Sequence, residues 1–259
     1  MKILILGAGK MGSFFCDVLS FQNSVAIYDT DPRRLRFIYN CERFREPGEI
    51  KQFDPDLVLN AATVKFTLEA FRSVLPYIRP DAMLADIASV KAGLPEFYRS
   101  CGHPYVSTHP MFGPTFASLS DLSKENAIII TEGDARGIEF FQQLYDSLGL
   151  HVEHYTFAGH DQTIAYSLSI PFASSLVFGS AMKHQPAPGT TFKRHLAIAR
   201  GLMSEDDYLL SEILFNKESV AQLDRVLDSL GQLREIIRQR DPAAMQSYLD
   251  RVRQNIADR

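Results

Sequence analysis

Lys2-Ile3-Leu4-Ile5-Leu6-Gly7-Ala8-Gly9-Lys10-Met11-Gly12 is the stretch whose reading decides the fold. Lys2 to Leu6 is a short apolar run bounded by glycine, the pattern of a buried parallel strand. Gly7, Gly9 and Gly12 fit G-x-G-x-x-G and lead into Ser13 to Leu19, which reads as a helix. Each glycine has a physical task. Gly7 makes a tight turn, Gly9 lets a pyrophosphate approach the backbone, and Gly12 lets the helix pack closely on the strand. The amides that open the helix, around Lys10 and Met11, form an anion site aided by the helix dipole. A second strand, Val25 to Tyr28, ends at Asp29, about twenty residues after Gly7, as a dinucleotide-binding unit requires.

Asp29 also speaks to which nicotinamide cofactor binds. A carboxylate there accepts hydrogen bonds from the adenosine ribose hydroxyls and repels a 2′-phosphate, so NAD is expected over NADP. Arg33 and Arg34 follow closely. They are read as a solvated turn rather than as cations that soften this repulsion.

The chain has 259 residues and 46% hydrophobic content, long for one α/β unit and comfortable for two domains. Net charge is −4 with no long basic run, so nucleic acid is not an expected partner. No apolar stretch is read as a membrane span, and the first strand leaves no room for a signal peptide. The three cysteines (Cys16, Cys41, Cys101) are scattered and lack metal spacing. That pattern suits a cytoplasmic protein and argues against a metal site.

Strand and helix alternate through the first half. Asp56 to Asn60, Met83 to Asp86 and Ala127 to Thr131 read as strands, with His151 to Glu153 as a last edge strand. Phe66 to Ile78 and Ala135 to Leu148 read as helices. After Tyr155 the character changes. Phe157 to Met182 is a long apolar helix interrupted by Pro171, followed by helices near Lys193 to Ala199, Glu205 to Asn216, Ser219 to Arg240 and Pro242 to Ile256. The expected architecture is an α/β Rossmann-like dinucleotide-binding domain over residues 1–155 and an all-helical domain over 156–259. The apolar content of the long helices points to a homodimer joined through them.

Ser107-Thr108-His109-Pro110-Met111-Phe112-Gly113-Pro114 places one histidine between proline-flanked turns, just after the apolar Tyr105-Val106. Proline pushes its predecessor toward an extended conformation, so His109 should sit at the carboxyl end of a strand, where open α/β sheets bind ligands. Asp86-Ile87-Ala88-Ser89-Val90-Lys91 leaves another strand on the same rim. Ser89 is either an N-cap for the helix containing Leu94 and Phe97 or half of a proton-handling pair with His109.

With these residues in view the chain resembles the prephenate dehydrogenase family of tyrosine biosynthesis. The resemblance rests on Gly7 to Gly12, on Asp86 to Lys91, on His109 to Pro114, on His160-Asp161 and, more loosely, on Asn216-Lys217-Glu218. It covers nearly the whole chain. It implies a Rossmann-like domain, a helical dimerisation domain, and NAD-dependent oxidative decarboxylation of prephenate to 4-hydroxyphenylpyruvate. By this match His109 accepts the proton of the substrate's ring hydroxyl, and Ser89 bonds the histidine or that hydroxyl. Ala61, Ala62 and Thr63 match the stretch that borders the cofactor, and Lys91 is expected to be structural.

The chain also departs from the family's pattern. Where the family often has S-H-x-P-H, this chain has Leu168-Ser169-Ile170-Pro171-Phe172, so both histidines are missing. The family carries an arginine that binds a substrate carboxylate. Counting back from Asn216 assigns it to Arg200, whereas counting forward from Phe192 reaches Ala197, roughly one helical turn away. Arg200 is taken as the residue, with Lys193 and Arg194 as substitutes, because a dianionic substrate needs cations. The sequence ends soon after the last helix, and no fused regulatory domain is expected. Two other classes remain open. One is an arogenate or β-hydroxyacid dehydrogenase, although the helical half shows no glycine-rich substrate motif with a catalytic lysine. The other is a non-catalytic NAD-binding sensor.

Overall fold

A computed structural model describes residues 1–113 and 121–257, so Pro114 of the histidine motif lies outside the described residues. The chain divides into two compact units, Met1–Asp161 and Gln162–Arg259.

Among the described residues the first unit forms an eight-stranded sheet. Its strands are β1 (Lys2–Leu6), β2 (Ser24–Tyr28), β3 (Glu42–Phe44), β4 (Leu57–Asn60), β5 (Met83–Asp86), β6 (Tyr105–Pro110), β7 (Asn126–Ile130) and β8 (His151–Tyr155). In space they run β3-β2-β1-β4-β5-β6-β7-β8. The β6–β7 pair is antiparallel and the other neighbours are parallel. The helices between them are α1 (Lys10–Leu19), α2 (Pro47–Phe53), α3 (Thr67–Val74), α4 (Leu94–Cys101) and α5 (Ala135–Ser147).

The unbroken apolar character of β1 follows from this arrangement, because alternate side chains serve opposite faces. Ile3 and Ile5 join Phe15 and Leu19 of α1 and Phe141 and Tyr145 of α5 in one buried layer. Leu4 and Leu6 join Ile50 and Phe53 of α2, Phe71 of α3 and Phe97 of α4 in the other. Strand order reverses between β1 and β4, which opens a crevice at their carboxyl ends where α/β sheets bind ligands. Two features escaped the sequence reading. β3 is only three residues long and carries two exposed ones, so no apolar run announces it. Cys16 and Cys41, scattered in sequence, meet Sγ to Sγ at 3.1 Å.

The long helix expected to be interrupted at Pro171 is present, and the interruption is a π turn just before the proline. The helix runs as α6 (Phe157–Ile164), a π-helical turn at Ala165–Ser169, and α7 (Ile170–Ala181). Proline lacks the N–H for the ladder and crowds the preceding turn, and the wider π turn accommodates both effects. The expectation that no stretch is long enough for a membrane span is thereby corrected, since Phe157–Ala181 is a helix long and apolar enough by length and composition. The unit boundary falls inside α6, later than the expected 155/156. The reason is that Phe157, in its first turn, packs against the apolar layer of the sheet.

The second unit continues with α8 (Thr190–Leu202), α9 (Asp207–Leu214), α10 (Ser219–Gln239) and α11 (Pro242–Ala257). Within it Ser169 Oγ bonds Ser219 Oγ at 2.7 Å, and Phe178 of α7 meets Phe192 of α8 edge-on. Its long helices bury little: Val177, Val220, Leu227, Leu230 and Ile237 are all more than half exposed.

Candidate active site

The glycine loop has the shape its sequence predicts. Gly7 adopts φ +95°, and a Cβ there would lie 2.9 Å from both the Ala61 carbonyl oxygen and the Ala62 nitrogen. The loop after β1 is therefore pressed against the segment after β4, which brings Ala61 and Ala62 to its side. A Cβ on Gly12 would sit 1.8 Å from the Gly7 carbonyl oxygen, so only glycine lets α1 start this close. Gly9 is different, because among the described residues its Cβ would meet nothing within 4 Å. Among the described residues the space beside it is open, and Gly9, the N-cap of α1, makes no side-chain capping bond. Lys10 is exposed and Met11 half-buried in that turn. These features fit a dinucleotide pyrophosphate.

Asp29 follows β2 and is buried, its carboxylate accepting the Ala8 N–H at 2.7 Å and the Asp31 N–H at 2.8 Å. Each oxygen keeps a lone pair for a ribose hydroxyl. Arg33 is held by Asp31 through two bonds, Nε at 2.9 Å and a terminal nitrogen at 3.0 Å, rather than turned to Asp29. Asn60, which the sequence reading passed over, organises the far side. Its Oδ1 accepts the Ala62 N–H at 3.0 Å and its Nδ2 donates to the Thr67 carbonyl at 2.8 Å. Thr63 precedes a short 3-10 turn, and its carbonyl accepts the Phe66 N–H at 2.8 Å.

The segment Asp86 to Lys91 is folded around a buried ion pair. Lys91 Nζ donates to Asp86 Oδ1 at 2.6 Å and to the Thr108 carbonyl at 2.7 Å. Asp86 Oδ1 also accepts the Ala88 N–H at 3.0 Å, and Oδ2 accepts the Tyr98 hydroxyl at 2.7 Å. This cross-link ties the end of β5 to β6 and leaves Ser89 half-buried in the intervening turn. The N-cap of α4 is Gly93, at φ +74°, so Ser89 is not the cap of that helix. Among the described residues no hydrogen bond joins Ser89 to His109.

His109 lies near the carboxyl end of β6, beyond the last residue paired with β5 and still paired with β7 opposite Ile128. It is buried, and its Nδ1 lies 3.1 Å from Nε2 of His160 on α6. Among the described residues its Nε2 has no hydrogen-bond partner. Burial pushes the His109 imidazole well below its ordinary pKa, with the neighbouring His160 and Lys91 adding to the effect. Burial lowers His160 as well, against the opposing pull of Asp161. A neutral imidazole with one free nitrogen on a ligand-binding rim is equipped to take a proton. From sequence His160 reads as a residue that bonds across the domain junction or caps the start of the helix, not as the partner of His109. No spacing rule links residues 51 apart, and the pairing emerges only when α6 folds back onto the sheet.

In the second unit Lys193, Arg194 and Arg200 are all exposed on α8. Lys193 and Arg200 are seven residues apart and share a helix face, while Arg194 points elsewhere. Ser169, the last residue of the π turn, and Phe172 in α7 occupy the two positions of the motif in which this chain lacks histidine.

The prephenate dehydrogenase nucleotide-binding domain model matches residues 20–153. The chain belongs to the prephenate dehydrogenase family. It is 23% identical over 238 residues to the T-protein of Haemophilus influenzae, covering 86% of this chain and 58% of that protein. It is 22% identical over 202 residues to a probable arogenate/prephenate dehydrogenase of Methanocaldococcus jannaschii, covering 72% of this chain and 44% of that one. The chain thus spans about half the length of these curated relatives. Its fold is that of the Aquifex aeolicus prephenate dehydrogenase solved with hydroxyphenyl propionate and NAD+, at TM-score 0.83 and 22% identity over 100% of this chain and 98% of that one.

Proposed function

We propose that this protein is an NAD-dependent dehydrogenase that converts prephenate to 4-hydroxyphenylpyruvate with loss of carbon dioxide. The observation that carries the reading is His109: buried, neutral, fixed through Nδ1 and open at Nε2 on the ligand-binding rim. Gly7, Gly9, Gly12 and the amides of Lys10 and Met11 would hold the pyrophosphate, Asp29 the adenosine ribose, and Ala61, Ala62 and Thr63 the side facing β4. NAD supplies the two-electron acceptor for the hydride that leaves the ring carbon bearing the hydroxyl. His109 Nε2 takes the hydroxyl proton as the C–O bond becomes a carbonyl. The bond to the ring carboxylate then breaks, its electron pair passes through the ring to the carbonyl oxygen as carbon dioxide departs, and the resulting phenolate takes a proton back from the His109 imidazolium to give the phenol. Ser89 hydrogen-bonds the hydroxyl and orients it. Arg200, with Lys193 on the same face of α8, binds a substrate carboxylate, and Arg194 is the substitute.

Arogenate is the second reading, favoured by one specific feature. Ser169 and Phe172 stand in place of the two helix histidines that help shape the family's substrate pocket, which leaves the choice between a keto and an amine side chain open. Steady-state assay of the purified protein with prephenate and arogenate, each against NAD and NADP, tests both readings. Turnover of neither would favour an NAD-binding sensor. We further propose a cytoplasmic location and a homodimer that covers the exposed apolar face of α7 and α10. Membrane and nucleic acid are not proposed as partners.

A further inference from the structure

We propose that His160 is a positioning residue whose bare Nε2 accepts the Nδ1–H of His109, fixing His109 in the tautomer that leaves Nε2 free to act as base. The inference rests on the proton-accepting role proposed above for His109 and adds what makes that role possible.

A neutral imidazole carries one proton on two nitrogens. For Nε2 to accept, the proton must sit on Nδ1, and it does so reliably only if Nδ1 faces an acceptor. The atom it faces is His160 Nε2, at 3.1 Å, with the two rings tilted 60° apart. One proton lies between these nitrogens, because two bare lone pairs or two N–H groups would repel. Once His160 Nε2 accepts, its own proton must lie on Nδ1. Among the described residues that nitrogen is buried without a hydrogen-bond partner, and a carboxylate oxygen, Asp161 Oδ1, is 3.6 Å away. The distance is too long for a hydrogen bond, yet the negative charge still favours the proton at Nδ1 rather than Nε2. Both imidazoles are therefore biased to the same tautomer in one direction, from Asp161 to His160 to His109.

The orienting group is a neutral imidazole, whereas serine hydrolases use a carboxylate in this role. A carboxylate would raise the basicity of His109. His160 fixes its direction without doing so. The charged and titratable groups around the pair are Lys91 of the β5–α4 turn, Asp86 of β5 and Asp161 of α6. His160 is fully buried, and the Phe157 turn of α6 is packed on the sheet, so its ring is held on the same unit as His109.

Three chains decide the matter: wild type, His160→Gln, whose Oε1 can replace the accepting nitrogen, and His160→Leu, which fills the space without an acceptor. The first readout is the imidazole 15N spectrum of protein free of substrate and cofactor at pH 7.5. His109 should be protonated at Nδ1 in wild type and in the glutamine variant, and shift toward Nε2 protonation in the leucine variant. The second is kinetics. His160→Leu should lower kcat about ten- to a hundredfold, the worth of one hydrogen bond to a charged group, with KM for NAD unchanged. His160→Gln should recover most of it. A wild-type His109 protonated at Nε2 would overturn the proposal, as would leucine and glutamine variants alike in tautomer and kcat. If the leucine variant fails to fold, the wild-type and glutamine spectra still decide. Wild-type protein inactive with both substrates would remove the proposed reaction but leave the tautomer result to stand or fall separately.

Discussion

Lys91 and Asp86 form an ion pair of 2.6 Å with both side chains essentially out of contact with water. Such a pair is held in place by its surroundings as much as by Coulomb attraction, because removing either partner strands a buried charge. Its neighbours are chosen accordingly: the Tyr98 hydroxyl, the Ala88 N–H and the Thr108 carbonyl satisfy what the pair leaves over. The pair locks the turn that carries Ser89 to the strand that carries His109.

Lys91→Met should therefore destabilise the fold by about 3–5 kcal/mol, the usual cost of breaking a buried pair from one side. Urea unfolding measures it. A loss below about 1 kcal/mol would mean that the carboxylate is already satisfied without the ammonium.

Cofactor choice follows from Asp29. NAD should give a much higher kcat/KM than NADP, and Asp29→Ser should narrow the ratio by removing the charge that opposes a 2′-phosphate. Equal use of the two cofactors by the wild type would show that Arg34, or Arg33 freed from Asp31, dominates the site.

Much of the first unit was legible because its signals are local. The β1 run, three glycines at fixed offsets and an acid ending β2 each follow from backbone geometry or burial on two faces. The rim position of His109 was legible from Pro110. The partner of His109 was not, because it arrives from α6 through tertiary folding, and neither residue's local pattern mentions the other. The extent of the Phe157–Ala181 helix was legible from its apolar run, but the form of its interruption at Pro171 was not. Proline is a reliable breaker of an ordinary helix, but a π turn just before it relieves the crowding. The cation for the substrate stayed ambiguous because Lys193 and Arg200 share a helix face, and sequence counting alone chooses between registers one turn apart.

Substrate binding tests that choice. Arg200→Ala should raise KM for prephenate by about 1.5–3 kcal/mol, the worth of a hydrogen bond to a charged group, with a smaller change in kcat. An unaffected KM together with a damaging Lys193→Ala or Arg194→Ala would move the carboxylate contact to the other end of α8.

Stability should depend on pH through the two buried histidines. Both have folded-state values below the unfolded value of about 6.5, so below that pH the unfolded chain binds more protons than the folded one. Stability is thus full above about 6.5 and falls as pH drops, by up to about 1.4 kcal/mol per pH unit for each histidine. Urea unfolding at pH 7.5 and 5.5 should show the loss in wild type and a smaller one in His109→Asn. Identical losses would mean that His109 does not stay neutral in the fold.

The most direct test of the account is the kcat pH profile of wild type against His109→Asn, with prephenate and NAD. Asparagine keeps a hydrogen-bonding group at the end of β6 but cannot take the proton. Turnover should fall by about 10²–10⁴, the range expected for general acid–base catalysis, while folding and NAD affinity are preserved. The wild-type acidic limb should lie below pH 6.5, where a histidine with a depressed value becomes protonated, and should vanish in the variant. A His109→Asn protein with near wild-type turnover, or with the acidic limb intact, would contradict the assignment of His109 as the base.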